Sequence, residues 1–167
     1  MTPHEDGELL TDAIEYRSMG TTNHGLWLQA NHDISLILAY CDADWASCSD
    51  SSRSTTSYAI FLGPNLVSWR SKKQPTVSKS SIEAEYRAIT YTVQDTIFIR
   101  SLLAEMEVWL STPVQLHCDN VSASYLVVNP IQHDRSKHIK IDYHFVRERV
   151  AHGDLVDKIC SHTIAVS

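Results

Sequence analysis

Hydrophobic and polar positions fall into blocks along this chain. The first sustained block runs from Ile34 to Cys41, eight mostly apolar residues that stop on Asp42 and Asp44. A continuous apolar run of that length predicts a strand buried on both faces. Side chains repeat direction every second residue in extended backbone, so both acids project the same way from its end. The carboxyl ends of such strands are where open α/β sheets hold ligands, although Asp is also a common turn opener where strands stop.

The later blocks read as alternating strands and helices. Ala46 to Thr55 is a Ser- and Asp-rich connection containing Arg53. Thr56–Leu62 is β-branched and aromatic, Gly63-Pro64-Asn65 makes a turn, and Leu66–Trp69 follows as a third strand, which gives an antiparallel meander. Ser80 and Glu83 form a capping box, worth on the order of 1 kcal/mol at the start of a long helix. Ile82, Tyr86, Ile89, Val93 and Ile97 set its apolar stripe. Val114–Cys118 alternates as a strand ending on Asp119-Asn120, and Ser122–Val128 reads as a short helix. Ile139–Val150 is amphipathic and closed by Gly153, and Leu155–Cys160 is a last strand.

A strand, a long helix and a further strand imply a crossover with parallel pairing, which places Asp42 and Asp119 on one sheet edge. The fold class is therefore α/β: a mixed sheet, a three-strand antiparallel meander plus parallel strands, with flanking helices. Residues 1–32 are polar and irregular, with Asp12–Met19 a candidate short helix, and are expected to be a partly ordered segment. Residues 33–167 are expected to form the domain.

Composition narrows the class. A length of 167 residues fits one domain, and 43% hydrophobic residues supply a core. No apolar run approaches the roughly 18–20 residues that span a bilayer, so no membrane partner is expected. The acidic start lacks the apolar region of a secretory signal. The four cysteines have no paired C-x-x-C spacing, which fits a reducing, intracellular and cytoplasmic setting rather than secretion, a zinc site or a disulfide framework. A net charge of −6 argues against a general nucleic-acid coat. Yet Arg70, Lys72, Lys73 and Lys79 lie within ten residues free of acids, a set that suits phosphate contacts or a solvated loop.

Glu85 lies between Ile82 and Ile89 and is carried toward the packed face of the helix, where a lone acid is costly unless something ionic meets it. Asp42, Glu85 and Asp119 thus converge. Clustered carboxylates repel, and Mg2+ with hard oxygen ligands is the usual remedy, with Mn2+ an alternative. Two such ions about 3.5–4 Å apart can activate water and steady the leaving oxygen of a phosphodiester. His138 and His144, six apart, do not share a helix face. His117 and Cys118 alternate sides of a strand, which disfavours a Cys–His nucleophile.

Tyr40-Cys-Asp-Ala-Asp-Trp-Ala46, Arg53-Ser-Thr, Ser68-Trp-Arg-Ser-Lys-Lys-Gln-Pro75, Ser80-Ser-Ile-Glu-Ala-Glu-Tyr-Arg-Ala88, Cys118-Asp-Asn120 and Lys137-His-Ile-Lys-Ile-Asp-Tyr-His-Phe-Val-Arg-Glu148 occur in this order. Together they resemble the ribonuclease H domain of copia-type LTR retrotransposon Pol polyproteins, over roughly Gly20 to Ser161. The resemblance implies a ribonuclease H-like fold and metal-dependent cleavage of the RNA strand of an RNA–DNA hybrid, beside the reverse transcriptase domain of a parent polyprotein. It implies Asp42, Glu85 and Asp119 as catalytic, metal-holding acids.

The family normally carries a fourth acid in an Ala-Asp pair after the last strand, where this chain reads Ala165-Val166. Asp142 is a candidate neighbour for the missing role. The departure implies a truncated fragment, and an impaired or inactive remnant that at most binds nucleic acid is the alternative. An integrase-like strand transferase fits less well, because that class orders its acids Asp, Asp, Glu, whereas this chain has Asp, Glu, Asp.

Overall fold

The computed structural model describes residues 25–26, 28–30, 35–128 and 140–159. The candidate helix at Asp12–Met19, together with Ile34, His138, Ile139, Cys160 and Val166, lies outside the described residues. Among the described residues, eight elements follow in order: β1 (Ile37–Asp44), β2 (Thr55–Leu62), β3 (Asn65–Lys73), α1 (Ser81–Glu105), β4 (Val114–Cys118), α2 (Val121–Val128), α3 (Lys140–Ala151) and β5 (Leu155–Ile159). They build one five-stranded sheet in the order β3-β2-β1-β4-β5. β2 pairs antiparallel with β1 and β3, whereas β4 pairs parallel with β1 and β5. The mixed sheet with flanking helices is the expected architecture. None of the described helices is long and apolar enough to cross a membrane.

β1 departs from expectation in its burial. Ile37, Ala39, Cys41 and Ala43 are buried, but Tyr40 between them is 42% exposed. The described helices cover only one face of the sheet, so β1 alternates instead of being buried on both sides. The strand also runs through Asp44, which makes both acids its last residues rather than the start of a turn.

β3 continues to Lys73, four residues beyond the expected Trp69. Its second half has an exposed outer edge and no apolar alternation, so its pattern resembles a loop. A register shift between Ile60 and Phe61 marks a bulge in its pairing with β2.

The long helix begins as its cap predicts. Ser80 Oγ accepts a hydrogen bond from the Glu83 backbone N–H at 3.2 Å. Glu83 Oε2 accepts from the Lys79 backbone N–H at 2.9 Å, and Glu83 Oε1 meets Arg87 Nη2 at 2.7 Å. The apolar stripe is displaced from the expected one at its start. Tyr86, Ile89 and Val93 are buried, while Ile82 in the first turn stays 36% exposed. In its place Ala84 and Ala88, small enough for close approach, face the sheet and are fully buried. Val146 of α3 and Val127 of α2 complete a single core with Leu116 and Leu155.

Candidate active site

The parallel pairing of β1 and β4 sets Cys41 beside Cys118, so the next residues, Asp42 and Asp119, leave neighbouring strands at the same edge. Both carboxylates are exposed, as expected where strands run out into solvent. Glu85 comes from the second turn of α1, which packs across β1, and is only 6% exposed. Its Oε2 is buried with no hydrogen-bond partner. Burial pushes its pKa up to about 7, with the charges of Asp42 and Asp119 adding to the rise and the Ala43 backbone N–H partly offsetting it.

Ligand atoms of Glu85, Cys118 and Asp119 fall within 4.8 Å of one another, and Asp42 is close enough for its charge to act on Glu85. Asp42 is not in that close group, but a buried carboxylate with an unpartnered oxygen, Asp119 in reach and a third acid nearby is a donor set suited to a hard divalent cation. Cys118 adds little to it, because its thiol is soft and fully buried in the core. His117 projects to the opposite face and stacks on Tyr40, with ring centroids 5.0 Å apart, so it forms no pair with Cys118. His144 is exposed on α3.

The four basic residues separate into two groups. Arg70 sits opposite Tyr58, one row behind the acids. There it lies beside a hydroxyl that donates to Asp95 Oδ2 at 2.5 Å. Lys72 and Lys73 stand farther forward: Lys73 pairs with Thr55, which in turn pairs with Asp44. Two strand spacings, about 10 Å, separate those backbones. Lys73 Nζ lies 2.9 Å from Cys48 Sγ in the loop after β1. Lys79 is exposed just before the helix cap. Asp142 is not among the charges acting on Glu85; its own neighbours are Arg87 and Glu83, and burial raises its pKa.

Sequence reasoning missed Gln74, which is 1% exposed and hydrogen-bonded on both sides of its amide. A lone polar residue between lysines and a proline gives no periodic signal of burial. It also missed Trp45, whose indole is half exposed beside the acid edge while its Nε1 donates to Ser78 O at 3.1 Å.

No family model matches the chain. Among solved structures, LC11-RNase H1, isolated from compost by a metagenomic approach, superimposes with a TM-score of 0.57 at 13% identity, covering 77% of this chain and 86% of that one. The N-terminal RNase H domain of rv2228c from Mycobacterium tuberculosis gives a TM-score of 0.51 at 9% identity, over 75% and 85%. The fold is that of a ribonuclease H-like domain, with its acids at the edge where β1 and β4 end.

Sequence relatives carry the assignment further. The Retrovirus-related Pol polyprotein from transposon RE1 of Arabidopsis thaliana is 48% identical over 155 residues, 93% of this chain. That from transposon TNT 1-94 of Nicotiana tabacum is 37% identical over 131 residues, 78% of the chain. Each match covers only 10% of the relative's length. The chain is a ribonuclease H-like domain homologous to a segment of retrovirus-related transposon Pol polyproteins.

Proposed function

We propose that this domain is a ribonuclease H, a metal-dependent endonuclease that cuts the RNA strand of RNA–DNA hybrids. The observation that carries the reading is Glu85, a buried carboxylate with an unpartnered oxygen on which the charges of Asp42 and Asp119 act. Burying such a group without a counter-charge is costly, and a cation held by the three acids relieves it. Mg2+ suits these oxygens, with Mn2+ as a substitute, and when bound it acidifies water and carries the charge of a leaving oxygen. The chain's own part is to hold Asp42 and Asp119 on paired strand ends, press Glu85 against them, and offer Lys72, Lys73 and Lys79 to phosphates. Arg70 contributes to that surface through long-range charge rather than contact. LC11-RNase H1 has been solved in complex with an RNA/DNA hybrid, which supports the same substrate here. A reverse transcriptase domain of a parent polyprotein is the natural partner.

The test is cleavage of a labelled hybrid in Mg2+, by the wild type and by Asp42→Asn. The variant is expected to lose at least about 100-fold, since removing a carboxylate from such a centre costs several kcal/mol. Equal rates would sink the reading. One observation favours a weaker enzyme: the chain has Val166 where the resemblance calls for a fourth acid. On that reading Mn2+ outperforms Mg2+, and Val166→Asp raises the Mg2+ rate by about an order of magnitude or more.

A further inference from the structure

Between the basic end of β3 and the cap of α1, the chain turns inward at Gln74 and again at Ser78. The Gln74 backbone N–H donates to Ser54 O at 2.8 Å. Its Nε2 donates to Thr56 Oγ1 at 3.0 Å and to Ala84 O at 2.9 Å, and its Oε1 accepts from Ser78 Oγ at 2.8 Å. The Ala84 carbonyl can only accept, so the amide has one possible orientation. Ser54, Thr56, Ser78 and Ala84 are all buried, and every partner of Gln74 belongs to a different part of the acid edge. Ser54 ends the loop after β1, Thr56 is in β2, and Ala84 precedes Glu85 on the helix.

The network continues outward. Ser78, fixed through its hydroxyl, presents its carbonyl to the indole N–H of Trp45, which follows directly on Asp44. Trp45 is 49% exposed, so one part of a rigidly held aromatic faces solvent beside the carboxylates. The outer side of the 74–80 turn is held separately, by Arg87 Nη1 on Thr76 O at 3.2 Å and by Glu83 on the Lys79 backbone N–H. The helix itself is anchored by Tyr86, Ile89 and Val93. The backbone after Trp45 is held by the Ala46 N–H on Ser54 Oγ at 3.2 Å, whereas the indole, among the described residues, is linked to the core by a hydrogen-bond path through Ser78 to Gln74.

We propose that Gln74 is a positioning residue for substrate: through Ser78 it fixes the Trp45 indole at a set distance from the acids. The role rests on the nuclease reading for its substrate, but the mechanical link does not. Gln74→Ala leaves Ser78 Oγ and Thr56 Oγ1 without this partner and frees the Ser78 carbonyl to shift. The helix and its Glu85 remain anchored by their own stripe. The expected signature is a KM for the hybrid raised about tenfold with kcat within about twofold.

Val146→Ala, a cavity in the core at a residue that makes none of these hydrogen bonds, serves as a stability control, since it is expected to lower Tm without raising KM. Ser78→Ala, which removes only one bond of the network, is expected to raise KM by a smaller factor and covers the case in which Gln74→Ala fails to fold. An unchanged KM in Gln74→Ala or, if that variant does not fold, in Ser78→Ala overturns the proposal.

A second readout is independent of cleavage. With Trp27, Trp69 and Trp109 replaced by Phe, Trp45 is the sole emitter, and adding Gln74→Ala or Ser78→Ala is expected to increase its quenching by acrylamide at least about twofold. If the wild type neither binds nor cuts a hybrid, the nuclease reading fails while this measurement still decides the link. Unchanged Trp45 quenching in the folded variants overturns it.

Discussion

Glu85 is an acid that folding makes harder to ionise. With its pKa raised to about 7 from an ordinary 4.5, the folded chain keeps a proton that the unfolded chain releases within that window. Metal-free stability therefore falls as pH rises through the window and levels off above it. Tm in a chelating buffer is expected to drop by about 5 °C across it, and Glu85→Gln to remove most of that drop. Added Mg2+ should restore the loss at pH 7.5. A wild type and Gln variant with parallel Tm profiles would refute the assignment of this proton. Cys48 shows the opposite effect. The ammonium of Lys73 holds its thiol down to about 6. Alkylation by iodoacetamide, followed by mass spectrometry, is expected to reach half its maximal rate near pH 6 and to move toward the ordinary thiol range in Lys73→Met. Cys41 and Cys118, buried in the core, should resist alkylation in the folded chain.

Two elements have ends that can be tested. Ser80→Ala removes the cap of α1 and is expected to cost about 1 kcal/mol, or about 3 °C in Tm. β5 carries Asp157 on the helix side of the sheet, in register with Leu116, and its Oδ1 is buried without a partner. Burial raises its pKa, so ionising it above the ordinary aspartate range destabilises the fold, and Asp157→Asn is expected to raise Tm by about 3 °C at pH 7 with little change at pH 4. Equal gains at both pH values would mean that charge is not the cause.

Such elements also mark how far the sequence could be read. Strands with a buried face, a capped helix and a strand–helix–strand crossover leave periodic or positional signals, and these put Asp42, Glu85 and Asp119 at one edge. The second half of β3 left none, since an exposed edge strand made of Arg70, Ser71, Lys72 and Lys73 has no apolar alternation to display. Gln74 was invisible for a related reason: its burial follows from bonds to partners distant in sequence. The one-sided burial of β1 depends on which face of the sheet the helices cover, and no local pattern records that.

For the whole molecule, the proposed substrate requires a chain of net charge −6 to approach a polyanion. Lys72 and Lys73 give a local exception on the rim nearest the acids. Replacing both with Ala is expected to weaken hybrid binding and to reduce the slope of log K against log salt by about one to two units between roughly 50 and 200 mM. Fluorescence anisotropy with Asp42→Asn as the binding-competent background measures this without cleavage. An unchanged slope would move the phosphate contacts elsewhere.

The sheet order has a consequence in time as well as in space. β1 pairs with β2 and β2 with β3 through short connections, whereas β1 meets β4 only after the whole of α1 has been traversed. Local antiparallel pairing closes small loops and forms early, but the parallel contact waits on a long closure. Asp42 lies on the early side of that event and Asp119 on the late side. A refolding chain is thus expected to recover meander structure before it recovers metal affinity, and the lag between the two signals reports the moment at which the carboxylates first meet.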